Sequence, residues 1–292
     1  QVPTSHLGAG ERVYPLGLAR LSGLVPADHT KWVLDLNCYT DPWPEFKKQL
    51  EVARPDVVAL SFRNMDPLAG IQTSYLPSLR TAAKVARLTI PHAQIWAGGP
   101  AFSLFAERLM DAVPEIDRGI IGEGETAFEM LLKSPDHLEQ VPGMVWRREG
   151  KVTVNPLGVR LPLERLPKLD TVGIDPQQYM AANTYVAAFG IEGKRGCDLR
   201  CSYCVYPKLG GDRMRLRLPE HVAAEMERLH RAHGVTLFHF TDAVVNRPAD
   251  HFEAVCRAII QRRLKIEWTG FFREDSLSGP QLDLALRAGL VA

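Results

Sequence analysis

Short apolar runs recur through the first half of the chain, separated by stretches whose apolar residues fall at helical spacing. WVLDL (32–36), VVALSF (57–62), QIWAG (94–98) and RGII (118–121) read as buried strands. Residues 16–25, 71–89, 101–112 and 123–132 read as the helices between them. This alternation predicts an open parallel sheet wound by helices, a flavodoxin-like (Rossmann-type) α/β domain over residues 1–155. Such a sheet wants one more strand ahead of Gln1, and the missing initiator Met agrees with residues in front. GMVWRREGKVTV (143–154) predicts a hairpin turning near Glu149-Gly150. Residues 156–180 hold four prolines and only weak apolar runs, and read as an interdomain linker.

A second alternation fills residues 181–292. TYVAAFGI (184–191), TLFHF (236–240) and KIEWTGFF (265–272) read as strands. Residues 218–234, 248–263 and 280–289 read as helices, the first stopped by Gly234. Three strand–helix units cannot close a barrel, so the expectation is the first half of a partial (β/α) barrel, truncated at the C-terminus.

Composition narrows the class. With 46% hydrophobic and 24% charged residues the chain is a globular protein, not a disordered tail. No run approaches the ~18 apolar residues of a membrane span, and the start lacks the regions of a signal peptide. A net charge of +1 gives no general attraction to nucleic acid or membrane. Five cysteines, three of them within eight residues, do not suit a disulfide framework; a reducing, cytoplasmic compartment fits better.

Those three cysteines carry the chemistry. Gly196-Cys197-Asp198-Leu199-Arg200-Cys201-Ser202-Tyr203-Cys204 sets thiolates at spacings of four and three on a loop just after a strand. Soft ligands on a tight loop suit a 4Fe-4S cluster, and three of them leave one iron open. Zinc would want a fourth ligand nearby, and the nearest histidine, His221, is 17 residues on. Cys38 and Cys256 read as buried structural residues.

The loop resembles the signature of the radical S-adenosylmethionine (SAM) enzymes, which place it after the first strand of a partial barrel. The resemblance implies that Cys197, Cys201 and Cys204 bind the cluster and that the open iron takes the amino and carboxylate groups of SAM. Tyr203 matches the aromatic position near the adenine, with plain loop packing as the alternative. Thr241 and Asp242 end the next strand in a stretch similar to the family's F-x-D-x-x-F-N. There Asp242 would accept from the SAM ammonium or cap a helix; Val245 departs from the usual aromatic.

Three more loops follow strand ends in the first half, where open α/β sheets bind ligands. They are Ser61-Phe62-Arg63, Gly98-Gly99-Pro100 and Gly122-Glu123-Gly124-Glu125-Thr126. In this order, ahead of a hairpin and a cysteine loop, they resemble the cobalamin-binding domain of cobalamin-dependent radical SAM enzymes, and the resemblance covers essentially the whole chain. No D-x-H-x-x-G motif supplies a histidine to cobalt. Arg63, which cannot ligate cobalt at accessible pH, is the candidate to cover the lower face, or else a surface residue. Glu267, in the third barrel strand, is a candidate base or cluster neighbour, or else a solvated carboxylate at the strand start; Glu274 competes with it.

The resemblance implies a cobalamin- and SAM-dependent methyltransferase that methylates a carbon centre of a small molecule, served by an external electron donor. The nearest likeness is the branch that methylates C2 of L-tryptophan, without a radical, in antibiotic biosynthesis. A radical C-methylase or cyclase acting through a 5′-deoxyadenosyl radical is the first alternative, and an iron–sulfur electron-transfer protein the second.

Overall fold

The computed structural model describes residues 1–3, 12–66, 74–180 and 189–291. The chain divides into two compact units. Pro15–Leu161 and Pro167–Ile174, with the first residues, make unit 1. Pro162–Leu166 and everything from Asp175 onward, with a short stretch ending at Tyr14, make unit 2.

Unit 1 opens with α1 (Leu16–Ser22). The apolar run 32–36, expected as a strand, is not one. A single 3-10 turn, Leu36–Cys38, follows it, capped by the Asp35 carboxylate accepting from the Asn37 amide. A strand needs a ladder, and among the described residues 32–36 pairs only with Gln1: the amino terminus donates to Leu34 O, and Leu36 N donates to Gln1 O. Helix α2 (Pro42–Ala53) has no counterpart among the expected elements, although Pro42 at its first position and the buried Phe46 and Leu50, four apart, are a helix pattern. Strand β1 (Val57–Ser61), α3 (Leu76–Thr89), β2 (Gln94–Gly98), α4 (Pro100–Ala112), β3 (Arg118–Ile120) and α5 (Gly124–Lys133) follow as the periodicity predicts. Residues 71–73 of the expected third helix lie outside the described residues. Strands β1, β2 and β3 are parallel neighbours; the hairpin β4 (Met144–Arg148) and β5 (Lys151–Val154) adds antiparallel, turning at Glu149-Gly150 with both φ positive. The fully buried Phe62, Leu79, Ile95 and Phe102 anchor the core against the sheet.

The proline-bearing stretch 156–180 is not a free linker. Asp170 N donates to Ala19 O, Arg20 donates to Pro167 O, and the Asp170 carboxylate takes Ser22 Oγ at 2.5 Å and Lys31 Nζ at 2.8 Å. Backbone and charge bonds of this kind hold the segment, and its Leu163, Leu169 and Ile174 are buried as well.

In unit 2, α6 (Gln177–Met180) precedes β6 (Phe189–Ile191). Residues 184–188 of the expected first strand lie outside the described residues. Then come the two-residue strands β7 (Lys194–Arg195) and β8 (Arg215–Leu216), paired antiparallel, with α7 (Tyr206–Gly210) between them. Helix α8 (Pro219–His233), stopped by left-handed Gly234 as expected, β9 (Leu237–Phe240), α9 (Ala249–Gln261), β10 (Glu267–Gly270) and α10 (Gly279–Arg287) complete the unit. The parallel sheet runs β10-β9-β6, and Leu290 makes one further parallel bridge to Trp268. One sheet face, with Phe189, Phe238, Phe240 and Trp268 each at most 2% exposed, is buried. No described helix is long and apolar enough to cross a membrane.

Candidate cofactor sites

In unit 1 the three loops singled out by sequence meet at one sheet edge. Ser61 and Gly98 are register partners at the ends of β1 and β2, and Phe62 N donates to Gly98 O at 2.8 Å. Gly99 has φ +102°, and a Cβ there would stand 2.6 Å from Phe62 O, so only glycine lets β2 turn this closely over β1 into α4. Pro100 begins that helix. Ser103 Oγ accepts from Gly122 N at 3.0 Å and donates to Gly99 O, which ties the third loop to the second. Not every residue of the loops faces a ligand. Phe62 is fully buried core, Glu125 is buried, and Glu123 is paired with Arg160 at 2.9 Å. Gly124 and Thr126 lie in the first turn of α5. Arg63 leaves the end of β1 with its side chain exposed, and its carbonyl accepts from Ala101 N. A floor of backbone and small side chains at the carboxyl ends of parallel strands suits a broad planar ligand.

In unit 2 the cysteine loop is closed at its neck. Cys197 N donates to Gly211 O at 3.0 Å. Gly196, at φ +87°, lies so close to the returning chain that a Cβ would stand 2.2 Å from Arg213 O. Cys197 is buried, Cys201 and Cys204 are half-buried, and all three are free thiols. The Cys204 amide closes a turn onto Cys201 O. Among the described residues no three His, Cys, Asp or Glu side chains gather as a single metal ion would gather them; a cubane instead spreads its thiolates over separate irons. Three soft donors, one sheltered and two facing outward, fit a cluster with an accessible iron. Tyr203 is 86% exposed; charge on the neighbouring Cys201, and a hydrogen bond to that sulfur, raise its phenol above the ordinary range. Burial pushes the unrelated Cys256 thiol up to about 12, as suits a structural cysteine, while Cys38 is only partly buried.

Asp242 takes a different place from the one the sequence suggested. It caps no helix and reaches no open site. Its carboxylate is 1% exposed, accepts from the amides of Gly193 and Lys194, and is paired with Lys194 Nζ at 3.2 Å. Burial raises its pKa while the Lys194 charge opposes that rise. Thr241 likewise bonds inward, its amide and hydroxyl both donating to Ile191 O. Glu267 is exposed at the first position of β10, remote along the strand from its carboxyl end, which agrees with a solvated carboxylate. Glu274 begins a short 3-10 turn past that end.

Sequence reasoning missed the rim that surrounds the cysteine loop. Arg247 pairs with Asp198 at 3.1 Å. Buried Asn246 donates to Arg273 O at 2.8 Å and accepts from Arg273 N at 2.9 Å, while Val245 N donates to Phe271 O. Arg273 pairs with Asp275, which raises the guanidinium further and lowers the carboxyl. An Asn two residues before a proline, with an Arg just past the next strand, was the available signal.

Residues 8–132 match the B12 binding domain family. The match takes in β1, β2 and β3 and the loops that end them. Curated relatives of the whole chain include an uncharacterized methyltransferase of Pyrococcus horikoshii, 26% identical and covering 90% of this chain and 56% of its own length. The anaerobic magnesium-protoporphyrin IX monomethyl ester cyclase of Synechocystis is 28% identical, covering 96% and 56%. Among solved structures, the radical SAM methyltransferase TsrM of Kitasatospora setae, bound to its tryptophan substrate and a SAM analog, superposes with TM-score 0.81 at 23% identity, over 95% of this chain and 55% of that one. The fold is therefore that of a B12-binding Rossmann-like domain followed by a partial barrel, as the sequence predicted. The chain spans about half the length of the relatives it matches.

Proposed function

We propose that this chain belongs to a cobalamin- and SAM-dependent methyltransferase that methylates a carbon centre of a small molecule, with C2 of L-tryptophan as the first acceptor to test. The observation that carries the reading is the pairing, in one chain, of a B12-binding domain with a three-cysteine loop on the strand end of a parallel sheet. Cys197, Cys201 and Cys204 would hold a 4Fe-4S cluster, and the loops ending β1, β2 and β3 would hold cobalamin. When bound, these groups and SAM supply reducing power and a transferable methyl group. The chain's own residues do the positioning. Gly99 and Gly122 keep the strand-end floor low, and Arg63 stands at the rim of that floor. The Gly196–Gly211 neck fixes the thiolates, and exposed Tyr203 offers a ring beside them. An external electron donor and a cytoplasmic setting belong to this reading.

The test is anaerobic reconstitution with iron, sulfide and cobalamin, then incubation with methyl-labelled SAM and L-tryptophan. Labelled 2-methyltryptophan is the expected product. Stoichiometric cofactor loading with no methylated product from a panel of aromatic acceptors would refute the activity. The cyclase relative favours one second reading, radical chemistry on an unactivated carbon; 5′-deoxyadenosine formed in proportion to product would select it.

A further inference from the structure

Residues 194–216 leave the sheet of unit 2 and return to it, carrying all three cysteines of the loop. From Asp198 to Leu216 no residue of this excursion is buried, so it has no core of its own. The two-residue ladder of β7 on β8 and the Cys197–Gly211 backbone bond close its neck. A ladder that short is not stable alone. Exposed contacts reach from the loop to the strand ends, Arg247 on Asp198 at 3.1 Å and Tyr206 Oη on Thr241 O at 3.4 Å. Exposed pairs of this kind contribute at most about 1 kcal/mol. The root of the loop is built differently. Arg217, the first residue after β8, is 6% exposed. Its amide donates to Gly193 O at 2.9 Å and its Nη1 to Glu192 O at 2.7 Å, so the arm leaving the loop grips the arm entering it. Nη1 and Nη2 also donate to the two carboxylate oxygens of Glu225 on α8, at 3.3 and 3.4 Å. The Arg217 carbonyl accepts from His251 Nε2 of α9 at 2.8 Å.

We propose that Arg217 is a positioning residue for the cysteine loop: it clamps both arms of the loop to α8 and α9, and so fixes the direction in which Cys197, Cys201 and Cys204 face. It acts through the backbone at Glu192 and Gly193, which lead directly into β7 and the first cysteine. A buried Arg–Glu pair that served stability alone could be exchanged for packed apolar residues at little cost. Such an exchange would lose the bond to Glu192 O, which ties the entering arm to α8. Lysine is a point donor and cannot span a carbonyl and a carboxylate with one planar fork. The inference rests on the reading that the three cysteines hold a cluster, and one arm of its test is independent of any cofactor.

Amide hydrogen exchange of the full chain before reconstitution reads the loop. Electron paramagnetic resonance after reconstitution and reduction, with and without SAM, reads the cluster. In Arg217→Met, peptides from 197–215 should exchange about tenfold faster than in wild type, while peptides of α8 and α9 change by less than about threefold. The loaded variant should lose most of the spectral change that SAM produces in the wild-type signal, because thiolates that have turned present the open iron elsewhere. Arg217→Lys should recover only part of both readings. Where Arg217→Met does not fold, Glu225→Gln, which removes the paired charge and leaves both carbonyl bonds, should give the same two changes in smaller measure. Loop exchange at the wild-type rate, exchange that rises equally in α8 and α9, or a wild-type response to SAM in the loaded Arg217→Met chain overturns the proposal. Selective loop acceleration, in a chain whose wild type takes up no iron or gives a signal indifferent to SAM, leaves the positioning role standing and removes the cofactor reading. Methylation by Arg217→Met with wild-type exchange and spectra does the reverse.

Discussion

Asp242 and Lys194 are 48 residues apart in sequence and form an ion pair at most 2% exposed. Removing one partner of such a pair strands the other charge and costs roughly 3–5 kcal/mol, whereas replacing both by apolar residues is often close to neutral. Lys194→Met should therefore lower the denaturation midpoint sharply, and Lys194→Met with Asp242→Leu should recover most of the loss in the same urea titration. Asp170 carries a pH dependence of known sign. Burial disfavours its charged form, but bonds from Lys31 and Ser22 and the amides of Val172 and Gly173 outweigh that and draw the carboxyl down to about 2. An unfolded aspartate titrates near ~3.9. Its stabilisation is thus complete above roughly pH 5 and is lost as pH falls toward ~2. The melting temperature of Asp170→Asn should lie below wild type at pH 7, by a few degrees for roughly 1–2 kcal/mol; the gap should narrow as pH falls through about 3 and close near about pH 2. The cysteines were legible because their chemistry is local, three thiols in eight residues. The fate of Asp242 was not, because it depends on a partner that only folding brings near.

Elements were legible where periodicity and punctuation agreed. Helix α8 ends at Gly234 as expected, and Ser278 closes a capping box at the start of α10. Residues 32–36 show the limit, since an apolar run specifies burial but not a ladder partner, and here the described partner is Gln1 alone. The short strands β7 and β8 escaped notice because two residues carry no period. They nevertheless frame the cysteine loop, and the constraint is sharpest at Gly196. A methyl group there, at φ +87° and 2.2 Å from Arg213 O, must push the neck apart. Gly196→Ala should leave the far-ultraviolet circular dichroism close to wild type and reduce bound iron after reconstitution several-fold. Retention of full iron content would show that the neck yields without disturbing the thiols.

For the molecule as a whole, the order of the two units was legible from the alternation of strand and helix, but the boundary between them was not. Residues 156–174 distribute between both units, held by scattered buried leucines and an isoleucine and by backbone and charge bonds rather than by a periodic apolar run. Each unit has its own sheet and its own candidate cofactor loops. Replacing Cys197, Cys201 and Cys204 by Ala should therefore abolish iron and cluster absorbance while cobalamin binding stays within about twofold of wild type, since the loops proposed to hold cobalamin all lie in unit 1. A parallel loss of both in a chain that remains folded would show that the two sites are not built independently. The bonds between Asn246 and Arg273, with the amide of Val245 on Phe271 O, have a kinetic meaning. Loops bound to each other in both directions cannot open one at a time, and the entropy of arranging them was surrendered when the chain folded. Under the proposed function, a ligand arriving at that rim meets a mouth already set. Its capture is governed by how often it arrives correctly oriented, and its residence by the contacts it makes.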